Sequence, residues 1–262
     1  MAIPAVVEPY QFASIPLETV VVQPLTASDA RVWKVTTTPA EKLKTLNDDF
    51  KANVVHKSSE GGKETILKVD HSINKLRQFC PAIDDAVGKS AHAHSKIAKI
   101  VITTPDLKGL LDTLAYIDLC IQDGYIGEYG REYQKPMVKY LAVKRAADVL
   151  GMQELTAEMV KRLRGMLYHP RATDRGGSNW RWGVQIEDLR SVYLNTAPGH
   201  WFVSELNKSI VMAWLDNKLR GEKAIDSLVS AEKFWDIAEE METMQEAEAA
   251  RRQKKGLVVR QV

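Results

Sequence analysis

The sequence predicts a mixed α+β fold: a small sheet carrying helical hairpins, followed by a helical C-terminal extension. Three observations lead there. Gly61-Gly62 separates Asn53-Val54-Val55 from the alternating run Thr65–Val69, which is the pattern of a β-hairpin. Further along, several stretches repeat apolar residues at spacings of three and four, the mark of a helix with one buried side. Prolines at 4, 9, 16, 24 and 39 punctuate the start of the chain, where no helix pattern is sustained.

Composition sets the outer limits. The 262 residues carry 36 Lys and Arg against 34 Asp and Glu, a formal charge of +2. That balance falls short of the strongly basic footprint of a dedicated nucleic-acid-binding domain. Hydrophobic residues at 45% and charged residues at 27% exclude wholesale disorder. With Cys80 and Cys120 as the two cysteines, a disulfide framework or a four-cysteine zinc site is excluded. No apolar run approaches the eighteen or so residues of a membrane span, and the first residues, MAIPAVVEPYQF, lack the charged and apolar regions of a secretory signal. The expectation is a cytoplasmic or nuclear protein that is not secreted.

Residues 1–52 read as a flexible N-terminal extension, with short β-branched runs such as Thr19–Val22 and room for a strand at Arg31–Thr36. After the hairpin, Ser72–Phe79 is helical, with Ile73 and Leu76 three apart. Pro81 stops that helix, and a short second one restarts over Ile83–Val87. Lys96–Thr103 is a β-branched strand. Thr104 and Pro105 open the next helix as N-cap and first helical residue, and Leu107, Leu110, Leu111, Leu114 and Ile117 form its apolar side. Glycines at 124, 127 and 130 break the chain, and Pro136 opens a further helix that buries Tyr140, Leu141, Val143, Ala147 and Leu150. Gly151 ends it. Gln153–Met166 is the next helix, and the polar loop Arg171–Ser178 forms an internal boundary. Beyond it, helices are expected around Ile186–Tyr193, around Phe202–Leu215 and, as one long element, over Ala224–Arg252. That last stretch is acidic early and basic late, which complements the helix dipole without any partner.

Motifs that could carry chemistry are sparse. Gly88-Lys89-Ser90 has the ending of a phosphate-binding loop, but Ile83 stands where the leading glycine belongs. His92 and His94 would share a face of an extended segment, yet no third ligand lies nearby. Asp112, Asp118 and Asp148 are carboxylates on or beside helices, able to do acid–base work if burial shifts one of them. An enzyme reading needs a pocket that gathers groups such as Asp112, His169 or His200. Lys161, Arg162, Arg164, Arg171, Arg175 and Arg181 gather positive charge near Trp180 and Trp182. Guanidinium groups grip phosphates and indoles stack on bases, so Arg171, Arg175, Trp180, Arg181 and Trp182 form the candidate for an alternative, nucleic-acid-binding reading. A loop with core-packed tryptophans explains the same residues and fits the balanced net charge better.

The order of elements is more specific than any of these motifs. Val69–Leu76 followed by Phe79-Cys80-Pro81-Ala82-Ile83 resembles the BTB/POZ pattern of strand, His, Leu, Ser-Pro and aromatic. Leu76 and Pro81 match it; Cys80 stands for Ser, Ile83 for Phe, and His71 falls one residue early. Ile100–Ile102 with Thr104–Tyr116 resembles the family's strand and following helix. Val138–Leu155, with Leu141–Asp148 and Leu150-Gly151-Met152, is similar to its next helix and successor. Glu187–Thr196 resembles a stretch found after this domain in many fungal BTB-like proteins. The resemblance covers roughly residues 60–215. It implies a BTB/POZ-like domain at 53–168, a helical C-terminal extension at 169–250 and a basic tail at 251–262. It also implies a module without catalytic centre or cofactor that binds other proteins. Such modules pair with themselves through an apolar helix face and an added edge strand, and some dock cullin scaffolds of ubiquitin ligases. Partners are then a second copy and other proteins, with neither membrane nor nucleic acid. Ile73, Leu76 and Phe79 are the candidate interface residues, with core packing the competing role for each.

Overall fold

A computed structural model of the chain describes residues 18–25, 50–59, 62, 64–90, 97–124, 129, 136–168, 186–197, 199–216, 218–219, 222–232 and 234–256. Two compact units divide it. The first takes residues 1–127 and 146–153, the second 128–145 and 154–262. The 168/169 boundary read from the sequence borders residues 169–185, which lie outside the described residues, as do Arg31–Thr36 and the loop Arg171–Ser178.

In the first unit, β1 (Glu18–Val22), β2 (Lys51–Lys57), β3 (Glu64–Ser72) and β4 (Ile97–Thr103) form one sheet in the order β1-β4-β2-β3. The expected hairpin is present, with β2 and β3 antiparallel. β4 lies parallel to β2 on one side and to β1 on the other. Parallel strands buried on both faces have unbroken apolar runs, and Val54-Val55 and Ile100-Val101-Ile102 are such runs, each residue 3% exposed or less. Of the stretch 1–52 read as a flexible extension, residues 18–25 and 50–52 are described. Its β-branched run Thr19–Val22 joins the sheet as edge strand β1, because pairing with β4 buries Val20 and Val22.

Two short helices follow the hairpin. Ser72 caps α1 (Ile73–Phe79), its hydroxyl accepting from the Lys75 N–H at 3.3 Å. Pro81 is the first residue of α2 (Pro81–Gly88), so one residue ends the first helix and opens the second. Arg77 and the buried Asp84 tie α1 to α2 by an ion pair at 2.8 Å. Helix α3 (Leu107–Asp123) packs against α1, and its start differs from the expectation. Thr104 uses its own N–H on the Lys57 carbonyl and its hydroxyl accepts from the Asp106 N–H. The cap is Asp106, whose carboxylate accepts from the Gly109 N–H at 2.9 Å.

Helix α4 (Met137–Leu150) has residues in both units, 137–145 in the second and 146–150 in the first. Its five expected core residues are all buried. Gly151 follows with φ +73°, a left-handed conformation that favours glycine. A side-chain carbon there would lie 2.9 Å from Leu25 Cδ1 and 3.3 Å from the Ala82 backbone nitrogen. The position therefore demands glycine twice over.

In the second unit, α5 (Gln153–Tyr168), α6 (Ile186–Asn195), α7 (Trp201–Leu215), α8 (Glu222–Ala231) and α9 (Trp235–Lys254) are the remaining helices among the described residues. Residues Glu154 onward of α5 belong to it. α9 packs on α7 and α8, and α8 on α6. The single long helix expected over Ala224–Arg252 is two helices. The break places Phe234 edge-on against Tyr193, with ring centroids 5.5 Å apart, and returns the Phe234 N–H to the Val229 carbonyl. The Phe234 ring is half-buried there, in an edge-on aromatic pair at the point where a continuous helix would run on. A buried polar chain then links three helices: the Tyr193 hydroxyl donates to Asn207 Oδ1 at 2.8 Å, and Asn207 Nδ2 donates to Glu240 at 2.7 Å. The basic end begins inside α9. Arg251 and Arg252 pair with Glu248, and Arg252 also reaches Asp216 at 2.6 Å.

Candidate functional site

Among the described residues of the first unit, a group of titratable side chains sits where β3 meets α3. β3 is an edge strand, and near its end Asp70 takes φ +49°, its N–H donating to Asn53 Oδ1 at 3.2 Å. A short polar side chain tolerates that left-handed backbone. The residue next along, His71, has its Nε2 3.0 Å from Asp118 Oδ1, and its Nδ1 3.3 Å from the Ser72 carbonyl. Lys68 Nζ donates to the other Asp118 oxygen at 2.8 Å. Burial pushes the Asp118 carboxyl up, but hydrogen bonds from His71 and Lys68 and the charges they carry outweigh it, and the group titrates below the ordinary carboxylate range.

A cleft of about 430 Å³ opens beside this cluster, lined by Lys51, Asp70, His71, Lys75, Asp118 and Gln122 among others. Its charges are mixed. The imidazole is oriented by a carboxylate, as a general base would be, but both ring nitrogens already face oxygen atoms, and the adjacent Ser72 hydroxyl caps α1. The arrangement holds a strand end to a helix and offers a polar recess.

The other candidates separate. Ile73, Leu76 and Phe79 are each 0% exposed. They fill the core, the role the sequence weighed against an interface one, and in the single chain they have no accessible surface. Arg171, Arg175, Trp180, Arg181 and Trp182 lie outside the described residues, as do His92, His94 and His169. The two arginines of the basic cluster that fall in α5 are engaged. Arg162 pairs with Glu158 at 2.7 Å and lies over the Tyr140 ring. Arg164 holds both oxygens of Glu205 and lies over Trp201. Asp112 is half-buried on α3, Asp148 is exposed on α4, and His200 caps α7. Gly88 closes α2, Lys89 pairs with Asp85, and Ser90 donates to Glu18. Burial pushes the Cys80 thiol up, which disfavours a reactive thiolate. Among the described residues no group of three or more His, Cys, Asp or Glu is placed to hold a metal ion. Nor, among them, is any helix long and apolar enough to cross a membrane.

Sequence reasoning missed a surface on α3. Leu107 and Leu111 were assigned to its buried side, yet they are 36% and 41% exposed, and Leu119 is 54% exposed. The buried side is made by Leu110, Thr113, Leu114, Tyr116, Ile117, Cys120 and Ile121. At about 100° per residue, Leu107, Leu111, Ala115 and Leu119 fall together on the outward side. In comparisons with protein-family models, curated proteins and solved structures, nothing matches the chain.

Proposed function

We propose that the chain is a non-catalytic protein-interaction module of the BTB/POZ type, acting as a self-associating scaffold or adaptor. The observation that carries this reading is the order and pairing of the first unit's elements. An antiparallel hairpin is followed by two short helices that meet at a proline, by a strand returning parallel to the hairpin's first strand, and by α3. That order of elements supports the reading. The exposed leucines of α3 support the same reading, since contiguous apolar surface marks contact sites. Two free, buried cysteines suit a reducing compartment, the cytoplasm or nucleus.

Light scattering across a concentration series tests the proposal. The expected result is a mass rising from 29.4 kDa towards twice that value. A mass that stays at 29.4 kDa throughout refutes self-association.

A further inference from the structure

Every other helix among the described residues buries at least three side chains, whereas α9, with 20 residues, buries none. It nevertheless packs along α7, a helix with nine buried residues, Asn207 at 0% exposed among them. The half-buried stripe of α9 changes character along its length. Ile237, Met241 and Met244 lead it, and Glu248 and Arg252 end it. The ties to α7 are polar. Midway, Glu240 accepts from Asn207 Nδ2 at 2.7 Å. At the far end Arg252 donates to Asp216 at 2.6 Å, and its Nη2 lies 3.8 Å from Met212 Sδ. Asp216 follows the last residue of α7, where a cation complements the helix dipole. At the near end Phe234 holds the chain against Tyr193.

We propose that α9 is a releasable strap. It hinges at Phe234, lifts from α7 beginning at Arg252, and uncovers Asn207 and the C-terminal end of α7. Hydrophobic stabilisation follows the apolar area removed from water, and a helix without a buried side chain removes little. The polar ties open without stranding their partners, because the water that enters solvates Asn207 and Asp216 in place of α9. Asp216 is 38% exposed, and an ion pair so placed contributes little and is screened by salt. Ionic strength is therefore the control on the strap. Once lifted, α9 loses the tertiary packing from which most protein helices draw their stability, so it lifts and unwinds as one opening. Weakly held elements of this kind are the ones that move while the rest of a fold stays closed.

Native-state hydrogen exchange on the full chain, resolved by residue, tests it. The amides of residues 239–252 should share one opening, at least about tenfold more frequent than the opening of α7. Raising the salt to about 0.5 M should increase that opening about two- to fivefold, with α7 unchanged as the internal reference. Arg252→Gln should do the same at low salt and remove the salt response. Glu240→Ala, which takes the acceptor from Asn207, should also speed α9 and leave the α3 amides of the first unit as they are. The salt series needs no variant, so it decides the matter even if a substitution unfolds the chain. Exchange of α9 at the α7 rate at every salt concentration makes α9 an integral part of the core and overturns the strap. Protection that rises steadily from Lys254 inward, with no shared opening, is fraying of a helix end and overturns it as well.

Discussion

Phe79→Ala separates a core side chain from an interface side chain. Phe79 is 0% exposed at the end of α1, and α1 packs on α2 and α3. A buried phenylalanine removes roughly 150–250 Å² from water. At about 25 cal/mol per Å², and with some area recovered by the alanine, truncation should cost about 3–5 kcal/mol, including the cavity it leaves. For a chain of this length each kcal/mol lowers the melting temperature by roughly 2–4 °C, which makes the expected drop about 6–20 °C. The assay is urea and thermal unfolding at two protein concentrations tenfold apart. Loss of a core contact is the same at both. If Phe79 instead held a dimer together, native stability would itself fall by about 1.4 kcal/mol on tenfold dilution, and the variant would lose that dependence. A cost under about 1 kcal/mol, or a folded variant that merely fails to associate, refutes the core assignment.

Three further outcomes follow from the structure. Asp84→Ala removes the buried half of the ion pair with Arg77 and should destabilise by about 1–3 kcal/mol in urea unfolding, whereas replacing both partners with apolar residues should be milder. Asp118 titrates below its unfolded value, so its stabilising contribution is full above about pH 4 and is lost as pH falls through the lower folded value. Comparing native and Asp118→Asn unfolding across that window should show extra acid sensitivity in the native chain. The difference should stay under about 1 kcal/mol, because Asp118 is 40% exposed. Gly151→Ala should cost more than about 1 kcal/mol by thermal unfolding, since it forces a side chain into left-handed backbone and within 2.9 Å of Leu25.

Local rules made most of the elements legible. Ser72 before Ile73, Pro81 at a helix start and Gly151 at a helix end all act over a few residues, and each has the role its chemistry predicts; the strands on either side of Gly61-Gly62 pair, the turn itself lying partly outside the described residues. Asp106 rather than Thr104 caps α3, and the Thr104 N–H bonds the Lys57 carbonyl, 47 positions away in the chain, a contact that no local pattern displays. Phe234 stands at the break in a helix that periodicity alone would have kept whole, its ring edge-on to Tyr193 of another helix.

The candidate surface was less legible, for a geometric reason. Periodicity shows that Leu107, Leu110, Leu111 and Leu114 crowd one side of a helix, but it cannot say where the edge of the neighbouring core falls across that side. Likewise Ile73, Leu76 and Phe79 read equally as interface or core until α2 and α3 closed over them. The pairing of His71 and Lys68 with Asp118, across 47 and 50 positions, had no sequence signature at all. By itself the sequence determined a mixed α+β chain, its hairpin, its helix starts and stops, and the lack of a catalytic motif. Those depend on backbone preference and on side-chain spacing within one element. Only the tertiary structure decided which apolar side of α3 stays in water, because burial belongs to the contact between elements.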